Sequence, residues 1–166
     1  MKKLFSIAVF ALALTFAYCQ SPLPVGKAQF NAGLGFSEWG IPIYAGLDFS
    51  VQKNITIGGE LSFRSYRENW KNNYYRHNII GLSGNVNYHF NTVLHIPTKY
   101  DFYAGLNLGY YSWSSPDGYY GDHTSGLGLG AQIGGRYYFN RDVALNLEFG
   151  GGNAFSDGKI GITIKL

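Results

Sequence analysis

Cysteine is nearly absent from this chain, and charged residues are scarce. Its 166 residues include one cysteine, Cys19, and only 14% are Asp, Glu, Lys or Arg. Cleavage after Cys19 would leave no cysteine, which excludes a disulfide scaffold and a thiol enzyme for the mature domain. No stretch shows a sustained helical period, so the sequence does not favour a helical domain.

The amino terminus has the three parts of a secretory signal. Lys2 and Lys3 are followed by an apolar run over residues 4 to 18 and by the sequence Ala17-Tyr18-Cys19. This run is short for a membrane-spanning helix, and its flanks fit a signal peptide with cleavage after residue 19. Residues 1–19 are therefore predicted to be a signal peptide, and residues 20–166 one domain. The alternative is a lipoprotein signal that retains Cys19, although Tyr18 is bulky for such a site.

The positive net charge comes mostly from the signal region. Removing Lys2 and Lys3 leaves 13 − 2 = 11 basic residues against 10 acidic residues, so the net charge falls from +3 to +1. A nearly neutral domain gives no reason to expect a nucleic-acid partner.

Apolar residues occupy nearly every second position in eight segments, which predicts eight β-strands. The segments span residues 28–36, 43–51, 55–65, 78–90, 101–111, 126–139, 143–150 and 159–166. Their number and spacing predict an all-β fold, an eight-stranded antiparallel up-and-down β-barrel. A soluble barrel with an apolar interior and a membrane barrel with an apolar exterior share this period.

The residues between the apolar positions distinguish the two barrels. Glycine is common among them, and five carry a charge within the strands: Asp48, Glu60, Arg136, Glu148 and Lys165. A surface in water would carry about 25 to 35% charged residues, so this face is predicted to line a narrow lumen. The apolar face is then predicted to contact lipid, as in a transmembrane β-barrel.

Aromatic residues and connection lengths agree with a membrane barrel. We expect one aromatic girdle at Phe49, Tyr88, Phe90, Tyr100, Phe102, Tyr137 and Phe139, and another at Trp39, Trp70, Tyr110 and Trp113. Connections 52–54 and 140–142 are predicted tight periplasmic turns, whereas 67–76, 112–124 and 151–158 are predicted long extracellular loops. Connection 91–99 is long where a tight turn is expected.

With these features the chain resembles the small eight-stranded outer-membrane barrels of the OmpX and OmpA transmembrane-domain type. The resemblance covers the whole mature chain, and includes the strand-turn-strand units at 47–55 and 137–143 and the closing strand at 160–166. It implies a location in the cell outer membrane and partners that include outer-membrane lipid, lipopolysaccharide and the barrel-assembly machinery. Such barrels usually end in an aromatic residue, whereas this chain ends in Leu166.

Charged lumen residues are the first candidate site. We predict a network of Asp48, Glu60, Arg64, Arg136, Glu148 and Lys165, with Lys27 and Asp101 at the rims. Balanced charges in a narrow lumen should pair, which predicts a packed interior rather than a pore. The alternative is a proton or ion path through Glu60, Arg64, Arg136 and Glu148.

Extracellular loop residues are the second candidate. Trp70, Tyr74, Tyr75 and Arg76 form one aromatic and basic group, with Arg67 and Lys71, and Trp113, Tyr119 and Tyr120 form another. Such residues often anchor recognition, and the basic ones could meet lipopolysaccharide phosphates. The alternative is that these residues bind no ligand and simply form the outer aromatic girdle and solvated turns.

These observations predict a non-enzymatic protein, structural or interacting through its loops with an extracellular protein or other surface ligand. One alternative is a lipid A-modifying acyltransferase or hydrolase that uses Asp122, His123 and Ser125 at the third long loop. Another is a barrel that binds a small hydrophobic ligand. The four dispersed histidines have no metal-ligand spacing, and no metal or other cofactor is expected.

Overall fold

The structure, a computed structural model, describes residues 22–37, 39–70, 73–116, 125–152 and 158–166, without the side chains of Glu68, Trp70 and Asn73. The predicted signal peptide lies outside these residues. Among the residues described, no helix has the length and apolar character needed to span a membrane. The strands are β1 (Ala28–Phe36), β2 (Ile43–Gln52), β3 (Ile55–Trp70), β4 (Asn73–His89), β5 (Tyr100–Ser114), β6 (Gly126–Tyr138), β7 (Val143–Gly152) and β8 (Gly158–Lys165).

The eight strands form one closed antiparallel barrel in chain order. Each strand pairs with its sequence neighbour, and β1 pairs with β8 with Ala32 opposite Ile162. Closure gives both sides of every strand a hydrogen-bonded neighbour, which a sheet needs in lipid because no water is there to satisfy a free edge. The predicted eight-stranded up-and-down barrel is confirmed.

The two faces of the strands are oriented as the sequence predicts. In β5, for example, the Leu106 side chain is 63% exposed on the outside, whereas the adjacent Asn107 is 7% exposed in the lumen. The same alternation continues around the wall, and leucine, isoleucine, valine and phenylalanine cover its exterior. A continuous apolar exterior of this extent is unfavourable in water and matches the hydrocarbon of a bilayer.

Short turns join the strands at one end, as expected. Two residues separate β2 from β3, and Asn140 stabilises the turn before β7 because its side-chain oxygen accepts the backbone N–H groups of Asp142 and Val143 at 2.9 and 2.8 Å. The longer connection between β4 and β5 is compact, because the Asn91 side-chain amide donates to the carbonyl of Tyr100 at 2.5 Å. By analogy with other small barrels, this turn side faces the periplasm.

The predicted loop at residues 67–76 was wrong. Here β3 and β4 continue past the apolar belt as a hairpin, in which Arg67 pairs with Arg76 and Trp70 pairs with Asn73. The alternating apolar pattern stops near Phe63 because the strands need no apolar face once they leave the hydrocarbon. A prediction based on that pattern therefore places the end of β3 too early in the sequence.

A short segment, residues 22–27, precedes β1. Residues 24 to 27 form a turn in which the Lys27 N–H donates to the Pro24 carbonyl at 3.1 Å, and Gly26 adopts a φ of +81°. Glycine suits this position because a left-handed conformation costs it little. The turn leaves Leu23 only 2% exposed.

Candidate functional site

One half of the lumen is organised around the Arg136 guanidinium. Its Nη1 lies 2.9 Å from Asp101 Oδ2, and its Nη2 lies 3.3 Å from Asp48 Oδ2. The three side chains are almost fully buried. A buried cation between two carboxylates compensates the cost of removing these charges from water.

Neighbouring polar groups fix this cluster in place. Asp48 also accepts hydrogen bonds from the Gln29 and Asn31 side-chain amides at 3.0 and 2.8 Å. The Arg136 guanidinium stacks 4.3 Å from the centre of the Tyr103 ring. That ring occupies the space where Gly134 has no side chain, since a β-carbon there would lie 2.2 Å from a Tyr103 ring atom.

Thr56, His89 and Asp101 form a second buried arrangement beside Arg136. His89 Nδ1 lies 2.8 Å from Asp101 Oδ1, and His89 Nε2 lies 3.1 Å from Thr56 Oγ1. A hydroxyl, an imidazole and a carboxylate in this order also form hydrolase triads. Here each of the three residues is 1% exposed, so a substrate cannot reach the hydroxyl. The arrangement instead ties together β3, β4 and β5.

The other half of the lumen is organised around Lys159. Its Nζ lies 2.8 and 2.9 Å from the two Glu60 oxygens and 3.1 Å from Glu148 Oε1. The Tyr103 hydroxyl donates to Glu148 Oε2 at 2.9 Å, which connects this cluster to Arg136. Lys159 is absent from the predicted network because it precedes the first apolar residue of β8. Lys159 and Lys165 are an even number of residues apart in one strand, so they lie on the same face. This spacing was the signal that Lys159 also faces the lumen.

Two other predicted lumen residues lie apart from these clusters. Arg64 is 3% exposed, and its Nη1 donates to Ser37 Oγ at 2.9 Å. Lys165 is half-buried at the turn side, with its Nζ 3.9 Å from the centre of the Tyr138 ring. Of the six predicted lumen residues, the structure therefore joins Asp48 to Arg136 and Glu60 to Glu148 through Lys159.

The space left between the two clusters is small. A cavity of about 20 Å³ lies among Asn31, Tyr44, Asn85 and the charged groups. This volume is close to that of a single water molecule. It leaves no room for a hydrophobic ligand in this part of the lumen.

Aromatic side chains cover the lumen at the loop side. Trp39 and Trp113 make an edge-to-face contact at 5.4 Å, and His77 lies 5.9 Å from Trp113 and 6.3 Å from Tyr66. The prediction that Trp39 and Trp113 belong to the lipid-facing girdle is wrong. Trp113 pairs with Ile79, whose side chain is 1% exposed in the lumen, so Trp113 also faces inward. Trp39 faces inward too, because its ring contacts that of Trp113.

The hairpin beyond the membrane carries most of the described recognition candidates. Arg67 and Arg76 are directly opposite each other, and both are exposed. Tyr74 is 75% exposed, whereas Tyr75 is half-buried. The Trp70 side chain, Tyr119 and Tyr120 lie outside what the structure describes.

The residues considered for lipid A chemistry are only partly described. Ser125 Oγ accepts the backbone N–H of Trp113 at 2.9 Å and thereby ties β6 to β5. Asp122 and His123 lie outside the described residues. Within the described part of the chain, no group of three or more His, Cys, Asp or Glu side chains is arranged to hold a metal ion.

Sequence comparison finds no matching family model and no matching curated protein. Three solved structures similar to this barrel are OprG from Pseudomonas aeruginosa, Neisserial surface protein A, and Ail of Yersinia pestis in complex with the heparin analogue sucrose octasulfate. Their sequence identities are 8%, 13% and 10%, and their TM-scores are 0.62, 0.58 and 0.50. The matches cover 87%, 84% and 86% of this chain and 97%, 95% and 96% of the respective structures.

These likenesses show the fold, which is that of the small eight-stranded outer-membrane barrels. The apolar exterior and this fold together place the barrel in an outer membrane.

Proposed function

We propose that this small eight-stranded outer-membrane barrel is a non-enzymatic surface protein, which binds anionic groups with the hairpin formed by the outer ends of β3 and β4. One observation carries the proposal: Arg67 and Arg76 are directly opposite each other on neighbouring strands, and both are exposed. Side chains in such a pair lie on the same face of the sheet.

Two like charges in this position repel each other. Directly opposite pairs of equal charge are destabilising in a sheet, and an anion bound between the two guanidinium groups would remove this repulsion. The planar guanidinium matches phosphate and sulfate oxygens with two parallel hydrogen bonds. The pair is therefore suited to a phosphate or a sulfate.

The position of the pair suits a ligand on the cell surface. Arg67 is four residues beyond Phe63, an outward-facing apolar residue of β3, which corresponds to about 13 Å along the strand. The exposed ring of Tyr74 stands further out on the same hairpin. Lipopolysaccharide phosphates and sulfated glycans are two sources of such anions, and the complex of Ail with sucrose octasulfate offers a precedent in a barrel of similar fold.

The lumen supports a structural rather than a transporting role. The charged groups of its two clusters are paired, and the cavity between these clusters is close to the size of one water molecule. The barrel then acts as a rigid mount for the hairpin. We expect it to be inserted by the barrel-assembly machinery, for which the alternating β8 strand ending near Leu166 is the candidate signal.

The test measures binding of anions to the barrel in phosphatidylcholine nanodiscs. Sucrose octasulfate and purified lipopolysaccharide serve as probes, and Arg67→Gln and Arg76→Gln should each weaken binding about tenfold. Arg67→Lys should recover only part of the loss, because lysine keeps the charge without the paired donors. Lys53→Gln, at the opposite end of the barrel, is the matched control.

Either source of anion would support the proposal. Equal binding by the wild type and the Arg67→Gln/Arg76→Gln double variant would contradict it, provided that both show the heat-dependent gel mobility of a folded barrel. Binding to a protein partner that is unchanged by both substitutions would instead favour recognition through the other loops.

A further inference from the structure

The turn side of the barrel carries an excess of positive charge. The described residues at this end are 22–27, 52–54, 90–99, 139–142 and 165–166. They contain five basic residues, Lys27, Lys53, Lys99, Arg141 and Lys165, and a single acidic residue, Asp142. This rim faces the leaflet opposite the extracellular hairpin, so its ligand is distinct from the one proposed above.

Three of the basic residues converge on one cleft. Lys99, Arg141 and Lys165 line a space of about 510 Å³ between the turns that flank β5, β6 and the end of β8. The backbone N–H of Tyr138 donates to the Lys99 carbonyl at 2.9 Å, which fixes the position of Lys99 beside β6. The lining of the cleft contains three cations and no carboxylate, although Asp142 outside the lining attracts Lys165. The remaining excess of positive charge favours an anion.

An apolar groove runs along the outer wall next to this cleft. It also measures about 510 Å³, and its lining includes Phe102, Ile133, Tyr137 and Leu147. Gly135 lies in this groove and faces outward between Phe102 and Leu147 on the neighbouring strands. Because glycine has no side chain, the wall is indented here, and the Phe102 ring borders the indentation, 3.3 Å from where a β-carbon of residue 135 would lie.

Lys99 and Tyr137 connect the cleft to the groove. Lys99 Nζ lies 5.1 Å from the centre of the Tyr137 ring, which itself lines the groove. A hydrogen bond to the Tyr137 hydroxyl raises the pKa of Lys99 above its ordinary value, and an exposed lysine is in any case charged at neutral pH. A cationic site and an apolar groove therefore meet at the membrane interface.

We propose that the cleft and the groove together form a binding site for one anionic glycerophospholipid of the periplasmic leaflet. Its phosphate lies among Lys99, Arg141 and Lys165, and one acyl chain lies in the indentation at Gly135. The tyrosines at 100 and 137 are at the level of the glycerol backbone, where aromatic residues with a polar end are favoured. Basic clusters at membrane interfaces recognise anionic headgroups by the same electrostatic attraction.

The experiment is native mass spectrometry of the purified barrel, released from detergent after incubation with dioleoyl phosphatidylglycerol or dioleoyl phosphatidylcholine. We expect one phosphatidylglycerol to remain bound to the wild type under conditions that remove phosphatidylcholine. Lys99→Gln/Arg141→Gln should weaken retention about 30-fold, because each basic residue near an anionic lipid contributes about fivefold. Gly135→Leu should also reduce retention, because its side chain fills the groove.

Matched controls separate the site from general effects. Lys53→Gln removes a basic residue from the same rim outside the cleft. Gly84→Leu adds the same side chain at an outward glycine, where a β-carbon would lie 3.7 Å from the carbonyl oxygen of Gly58. Both should retain phosphatidylglycerol like the wild type. Heat-dependent gel mobility checks that every variant is folded.

Three results would overturn the proposal. They are equal retention of the two lipids, equal losses in the control and site variants, and displacement of the lipid by equimolar glycerol 3-phosphate, which would show that the groove contributes nothing. The proposal does not depend on the extracellular hairpin. The Arg67→Gln/Arg76→Gln variant should keep its phosphatidylglycerol.

Discussion

Replacing Lys159 by methionine should destabilise the barrel strongly, because it leaves two lumen carboxylates without their cation. Methionine keeps much of the side-chain volume but removes the cation that lies within 3.1 Å of Glu60 and Glu148. Removal of one partner from a buried ion pair costs about 3 to 5 kcal/mol, because the remaining charge is left uncompensated. The three side chains retain 9 to 14% of their exposure, so we expect the lower end of this range, about 3 kcal/mol.

The assay is urea-induced unfolding of the barrel in lipid vesicles, followed by tryptophan fluorescence. The unfolding midpoint should fall while its slope stays constant, which would identify a change in stability. Adding Glu60→Gln and Glu148→Gln to the Lys159→Met variant should restore most of the loss, because the amides carry no charge. Lys53→Met is the control, since Lys53 is exposed in a turn.

Two results would refute this reasoning. A loss below about 1 kcal/mol for Lys159→Met would mean that the carboxylates are solvated or otherwise compensated. A triple variant no more stable than the single variant would mean that packing of the lysine stem, rather than its charge, stabilises this half of the lumen.

Two further substitutions test the wall of the barrel. Leu106→Arg should destabilise the barrel by about 2 to 4 kcal/mol in the same unfolding assay, because this side chain is 63% exposed toward the centre of the bilayer; a negligible cost would mean that the faces are reversed. Gly134→Val should cost about 1 to 3 kcal/mol, since its β-carbon would overlap the Tyr103 ring. Gly134→Val combined with Tyr103→Ala should then be less destabilising than the sum of the two changes, and strict additivity would contradict the contact.

The strand count and the direction of the faces could be predicted from the sequence because lipid imposes a simple rule on the strands. Every outward position in the hydrocarbon must be apolar, so the period of two marks β2 and β5 along most of their length. The rule stops at the interface. The charged hairpin that includes Arg67 and Arg76 therefore looked like a loop, although its strands pair there as they do below.

The partners of the lumen charges could not be predicted from the same pattern. The period of two places Glu60, Arg136 and Glu148 inside the barrel. It does not show which residues of different strands lie at the same height in the lumen. That depends on the stagger between strands when the barrel closes. The ion pairs between Lys159 and Glu60, and between Arg136 and Asp48, follow from this stagger alone.

The wrong prediction for Trp113, whose side chain faces the lumen, has a different cause. Aromatic residues near a strand end suit either the interface or the mouth of the lumen. Their direction follows from the parity of the strand, which places Trp113 on the same face as Tyr111 and opposite to Tyr110. The girdle prediction considered only how near Trp113 is to the end of the strand, and not which face of the strand it lies on.

The lumen clusters also bear on how the barrel forms. Lys159 and Glu60 are 99 residues apart in the chain, Arg136 and Asp48 are 88 apart, and Thr163 and Asn31 are 132 apart. Such distant partners meet only after the first and last strands have come together, since pairing of neighbours alone leaves them on separate parts of the sheet. Until then each carboxylate must remain hydrated, because it has no cation as a partner. The interior charges therefore oppose the entry of an open sheet into lipid, and they make insertion and closure of the barrel a single coupled event.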